Sequence, residues 1–319
     1  MNTTSESIYE NICRARNELG ILPREYSLPQ DGPSLSDQFR FADGALDGIA
    51  IYHMGVPDQD SRLLEQALDT AVTDLEQAHV LIQKWAADGH MISAMDKIQH
   101  YIIEHQQQLP PSQIYRLAAE CALKGTHREE VKFGLIIMPF FNTDSNEQLK
   151  NSLRILALSD EFTLYILQVA SGWSSPSQET LRIARNVYGW GRIHAVAQLE
   201  PETEEIRDWL FTEGWDNTVT PAYSALECCN KGNLLERLEK GMNDKDYRCA
   251  CGLLQALLDE GPVEGISGVE DSVRLLNAFL ECSASKAVSP ARQKTLEKIA
   301  EYVAGHELQE IAEKISALL

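Results

Sequence analysis

The chain has 319 residues, 44% of them hydrophobic, and carries 48 acidic against 28 basic residues for a net charge of -20. With a mean hydropathy of -0.27, that composition fits a globular or repeat protein with a sizeable buried core. It argues against nucleic acid, whose phosphates draw most of their binding energy from Lys and Arg, and against anionic membrane surfaces. No apolar run approaches the ~20 residues a membrane span requires, and Met1–Glu6 lacks the basic and apolar regions of a secretory signal, so a cytoplasmic protein with reduced thiols is expected. The charge favours a basic partner, or serves only solubility.

In chain order, a short helix is expected over Ser7–Leu19. A connection rich in Pro, Gly, Asp and Ser follows over Leu22–Asp37, then an apolar segment over Ala45–Met54. Leu64, Leu68, Val72, Leu75, His79 and Ile82 recur at three- and four-residue spacing, which predicts one long amphipathic helix over Ser61–Ala87. Another helix is expected over Ile92–His105. Leu109-Pro110-Pro111 ends this N-terminal helical region, residues 1–110.

Residues 111–260 read as a repeat of short helix pairs. The second helix of each pair is apolar on most faces: Val131–Ile136, Phe162–Leu167, Gly191–Val196 and Thr220–Ala225. Lys132, Thr163, Arg192 and Pro221 fall at offsets of 31, 29 and 29 residues. A period near thirty with two helices per unit is the mark of an α-solenoid, in which neighbours cover both sides of each inner helix. Ser175-Pro176-Ser177-Gln178 reads as a capping box with Pro at the first helical position, and Asp144–Glu147 and Thr220-Pro221 as further helix starts. Gly125, Gly189, Gly214 and Gly232 read as helix stops. After a glycine-rich break at Gly261–Gly268, residues 261–319 supply capping helices at Val269–Ser283, Pro290–Ala304 and Glu307–Leu319. The fold class expected is all-α, an α-α superhelix with an irregular helical N-terminal region.

Val131-Lys132 followed by Gly134, and Arg192 followed by Ala195, Val196 and Leu199, resemble the Val-Arg-x-x-Ala-x-x-x-Leu core of HEAT-type repeats. The resemblance covers roughly Pro111–Asp259, and Thr163 and Pro221 stand where two repeats lack the basic residue. The string Tyr188–Val196, running into Leu199–Leu210, is similar to a group of uncharacterised bacterial helical-repeat proteins. The HEAT resemblance implies a binding surface rather than a reaction.

The stretch Gly172–Asp216 holds four of the chain's five tryptophans. Trp190 and His194 are four apart and share a helix face, while Arg192 points elsewhere. These three fit either a pocket, with Arg192 as an anion clamp and His194 as a proton carrier, or packing between repeats. Glu200, Glu202, Glu204, Glu205 and Asp208 open the next helix, where acids complement the helix dipole and also offer a docking surface. The residues expected to bind a partner are Trp190, Arg192, His194, Glu204, Asp208 and Trp215. The partner expected is a protein or peptide of basic character, met on an acidic, aromatic-bearing concave surface, and the module is expected to be non-catalytic. The alternative is an enzyme with a pocket around Trp190, Arg192, His194 and Glu204. The HExxH, Walker and nucleophile-elbow motifs are absent, as are haem, flavin and di-iron signatures. Cys228, Cys229, Cys249 and Cys251 lack metal-site spacing, so neither cofactor nor metal is expected.

Overall fold

The structure is a computed structural model, and it describes residues 6–29, 41–306 and 308–318. It is all-α: among the described residues there are eighteen α-helices and no strand. Met1–Ser5 and residues 30–37 of the expected Leu22–Asp37 connection lie outside the described residues, as do Glu307 and Leu319 of the last expected segment.

Two compact units are present, residues 1–195 and 196–319. The first begins with α1 (Ile8–Ala15), started by a capping box in which the Ser7 side chain accepts the Glu10 N–H. Next comes α2 (Ala45–Ile49), whose path continues as a π turn to Met54. The single helix expected over Ser61–Ala87 is in fact two, α3 (Arg62–Thr70) and α4 (Leu75–Ala86). The break has a local cause: the Asp74 side chain accepts the Gln77 N–H and starts α4 as an N-cap, a role Asp fills better than a helix interior. After α5 (Met95–Glu104), α6 (Pro111–Lys124) starts on Pro111 and stops at Gly125.

The following helices are α7 (Arg128–Ile137), α8 (Glu147–Leu156), α9 (Asp160–Ala170), α10 (Pro176–Ala184) and α11 (Trp190–Gln198), the last carrying the division between units. Asn146 caps α8 by accepting the Leu149 N–H. At α10, Pro176 takes the first turn, but Ser175 makes no side-chain cap bond; its ψ of 66° lies outside the extended region typical of a cap. Gly189 precedes α11 rather than ending a helix. Helices α7, α9, α11 and, in the second unit, α13 (Ala222–Lys231) start about thirty residues apart, as the period predicts.

Helix α7 is buried on every face, Glu129 through Ile137 without interruption, and α9 nearly so. Gly134 lets α7 approach α6 closely: a Cβ there would lie 2.5 Å from the Ala118 carbonyl oxygen and 2.6 Å from the Ala122 nitrogen. Within the first unit α6 packs on α7, α7 on α9, and α9 on both α8 and α10.

The second unit holds α12 (Glu204–Trp209), which runs on as a π turn to Gly214, then α13, α14 (Leu234–Glu239) and α15 (Asp244–Leu257). It closes with α16 (Ser272–Ala284), α17 (Pro290–Ala304) and α18 (Gln309–Ser316). Here α13, α15 and α17 pack in succession, as do α14, α16 and α18. In both units this packing of neighbouring helices is compatible with a superhelix. The Gly261–Gly268 stretch folds as a turn ending in a 3-10 segment, where the Glu260 carboxylate accepts the Gly265 and Ser267 N–H groups. No described helix is long and apolar enough to cross a membrane.

Candidate functional site

Trp190, Arg192 and His194 lie inside the first unit, each less than a tenth exposed. Trp190 sits over α2: a Cβ added to Gly48 would fall 2.1 Å from the indole ring. The small residue is therefore what lets α2 and α11 approach. Tyr52 joins the group, its ring centroid 6.0 Å from that of Trp190 and 6.1 Å from that of His194. The Arg192 guanidinium donates through Nε to the Val187 carbonyl at 2.7 Å, and its centre lies 5.3 Å from the centroid of the Tyr188 ring. His194 Nε2 is buried with no hydrogen-bond partner among the described residues, and burial pushes the imidazole down to about 4. Its neutral form is therefore the one present at pH 7.

Glu204, Asp208 and Trp215 belong to the second unit. Glu204 opens α12, where Thr203 caps the helix by accepting the Ile206 N–H. Glu204 and Asp208, one turn apart, share Arg237 of α14, at 3.4 Å and 2.7 Å. Both carboxylates are more than half exposed, and Glu200, Glu202 and Glu205 are exposed beside them. Trp215 is half-buried, its Nε1 donating to the Phe211 carbonyl at 3.1 Å and its ring beside Gly252.

The densest ionic group was not singled out from the sequence. It lies on α7 and α9, the helices read as apolar all round. Lys132 is buried, and its Nζ meets three buried carboxylates: Asp47 at 2.9 Å, Glu129 at 3.0 Å and Glu161 at 2.6 Å. The Tyr165 hydroxyl donates to Asp47 at 3.0 Å. Glu129 also accepts the Met91 N–H, and Glu161 the Gly44 N–H at 2.8 Å. Arg128 extends the network, pairing with Glu161 and Asp43 and donating to the Leu28 and Pro29 carbonyls. Thus Leu28, Pro29, Asp43, Gly44 and Asp47, in the region least regular as sequence, are tied onto the α7–α9 core.

The charges within this group act on one another. Burial alone would lower the Lys132 ammonium, yet Asp47, Glu129 and Glu161 hold it well above its ordinary value. Burial likewise would raise Glu161, and Lys132 and Arg128 outweigh it, holding the carboxyl at about 2. Glu129 goes the other way, raised by burial more than Lys132 lowers it. On α9, burial pushes Asp160 up to about 6, although the Gly191 and Gly189 N–H groups at 2.7 Å and 3.0 Å pull it down. The signal available in the sequence was the presence of Glu129, Lys132 and Glu161 on helices with no solvent face, since charges in such places must pair.

A third cluster, His79, Cys121 and Glu130, brings an imidazole nitrogen, a thiol sulfur and a carboxylate oxygen within 4.8 Å of one another. No family model, curated protein or solved structure matches the chain.

Proposed function

We propose that the chain is a HEAT-like α-superhelical module that binds a basic protein or peptide segment through the acidic surface at the start of α12. The observation that carries this reading is a contrast in exposure. Trp190, Arg192 and His194 are interior, whereas Glu200, Glu202, Glu204, Glu205 and Asp208 face solvent, in a chain of net charge -20. Of the residues expected to bind a partner, the accessible ones are therefore Glu204, Asp208 and the half-buried Trp215. Clustered carboxylates steer a cationic partner and set its register, and a half-buried indole supplies contact area at small entropic cost. The near-thirty-residue spacing of α7, α9, α11 and α13 and the successive packing within each unit support the superhelical part of the reading.

The test is comparative capture from native cells with the wild-type chain and with Glu202→Lys/Glu205→Lys. The reading expects a stoichiometric partner held by the wild type, released by raised salt and lost from the variant at unchanged helicity. A partner held equally by both chains would refute it.

The alternative, an enzyme, draws support from one observation: the buried His194 Nε2 without a hydrogen-bond partner among the described residues. Turnover abolished by His194→Ala in a folded chain would favour it.

A further inference from the structure

Gly134 brings α7 against α6, and a Cβ at that position would stand 3.0 Å from the Cys121 Cβ. One helical turn before it, Glu130 therefore faces the end of α6 that carries Glu120 and Cys121. Helix α4 presents His79 to the same spot and Gln83 one turn on. Three helices thus converge on one point. His79 Nδ1 lies 3.2 Å from Glu130 Oε1 and 3.8 Å from Cys121 Sγ. On the far side of the ring, His79 Nε2 lies 3.4 Å from Glu120 Oε2.

We propose that His79 Nδ1, Cys121 Sγ and Glu130 Oε1 bind a divalent ion of the zinc type, with solvent in the fourth position. Four arguments meet here. Nitrogen and oxygen ligands at tetrahedral zinc bond lengths sit roughly 3.3 Å apart, and nitrogen and sulfur roughly 3.6 Å, close to the spacings found. The mixture of imidazole, thiolate and carboxylate suits zinc and cobalt, and not the oxygen-seeking magnesium or calcium.

The surrounding contacts are those that orient metal ligands. Glu120 Oε2, 3.4 Å from Nε2, is placed to take that nitrogen's proton, which would leave the Nδ1 lone pair to the metal. The Thr126 N–H at 3.3 Å holds Glu130 Oε2, and the Gln83 amide straddles the carboxylate, 3.4 Å from Oε2 and 3.5 Å from Oε1. Finally, charge balances: a thiolate and a carboxylate neutralise the ion, which matters because Cys121 and Glu130 are buried. Binding displaces the thiol proton to solvent, so affinity falls with falling pH. His79, about a fifth exposed, leaves the route for ion and water. Such an ion would clamp α4 to the α6–α7 pair.

The competing arrangement is an imidazolium bridging Glu120 and Glu130 with no metal. The two are separated by titrating the chelator-treated full chain with Co2+ and recording the near-ultraviolet thiolate-to-cobalt charge-transfer absorption. One equivalent is expected to saturate the band, Cys121→Ser to abolish it, and Glu120→Gln to weaken binding about 10- to 100-fold. X-ray absorption of the cobalt-loaded wild type needs no variant. One sulfur among nitrogen and oxygen ligands supports the site even if Cys121→Ser fails to fold. No sulfur, two sulfurs, no binding at equimolar metal, or a band that persists in Cys121→Ser would overturn it.

Discussion

Replacing Lys132 by Met keeps most of the side-chain volume and removes the one ammonium that three buried carboxylates share. Asp47 would retain the Tyr165 hydroxyl, Glu129 the Met91 N–H, and Glu161 both Arg128 and the Gly44 N–H. What they lose is the cation, and an uncompensated buried charge of this kind costs about 3–5 kcal/mol. The variant escapes part of that cost by protonation. Glu129, already raised by burial, takes up the proton first. A carboxyl raised in the folded state binds more protons there than when unfolded, so stability rises as pH falls. Urea denaturation of Lys132→Met, followed by circular dichroism with separate transitions for the two units, is therefore expected to show a deficit of about 3–5 kcal/mol at pH 7. That deficit should shrink towards pH 5. The double variant Lys132→Met/Glu129→Gln should be more stable at pH 7 than Lys132→Met alone. A loss below about 1 kcal/mol at pH 7 would place the ammonium in effectively aqueous surroundings and refute the reasoning.

Other consequences follow from the same interior. Glu161, held at about 2 against an ordinary 4.5, binds fewer protons folded than unfolded and contributes about 3 kcal/mol at neutral pH. The stability difference between wild type and Glu161→Gln should be full above pH 4.5 and vanish as pH falls to about 2; a difference independent of pH would contradict the assignment. Gly134→Ala drives a methyl into the backbone of α6 and should cost about 1–3 kcal/mol or more by thermal or urea unfolding, against nothing if α6 can shift. Trp190→Ala empties the contact with Gly48 and should destabilise the first unit by about 3–5 kcal/mol. A stable Trp190→Ala variant would mean that the indole is not packed against α2.

The helical class and the thirty-residue spacing of alternate helices were legible because both are periodicities, and periodicity survives without knowledge of neighbours. The break at Ala71–Asp74 was not, because Leu68, Val72 and Leu75 continue the apolar stripe across it while the Asp74 cap stops the backbone. Trp190 and His194 were rightly placed on one face, and sequence left open whether that face lined a pocket or packed between repeats. Gly48, which admits the indole, is 142 positions away from it. The Lys132 centre showed in the sequence only in part, as charges on helices read as having no solvent face. Its carboxylates come from Asp47, Glu129 and Glu161, and only the tertiary meeting of α2, α7 and α9 turns three ordinary acids into one cluster. His79, Cys121 and Glu130 were invisible in the same way, since their spacing matches no local metal motif.

The most direct measurement of the partner-binding account is hydrogen–deuterium exchange of the chain with and without its captured partner. The account predicts protection concentrated in peptides spanning 200–216, at the exposed carboxylates of α12 and Trp215. Protection confined to residues 41–190, with 200–216 unchanged, would contradict it.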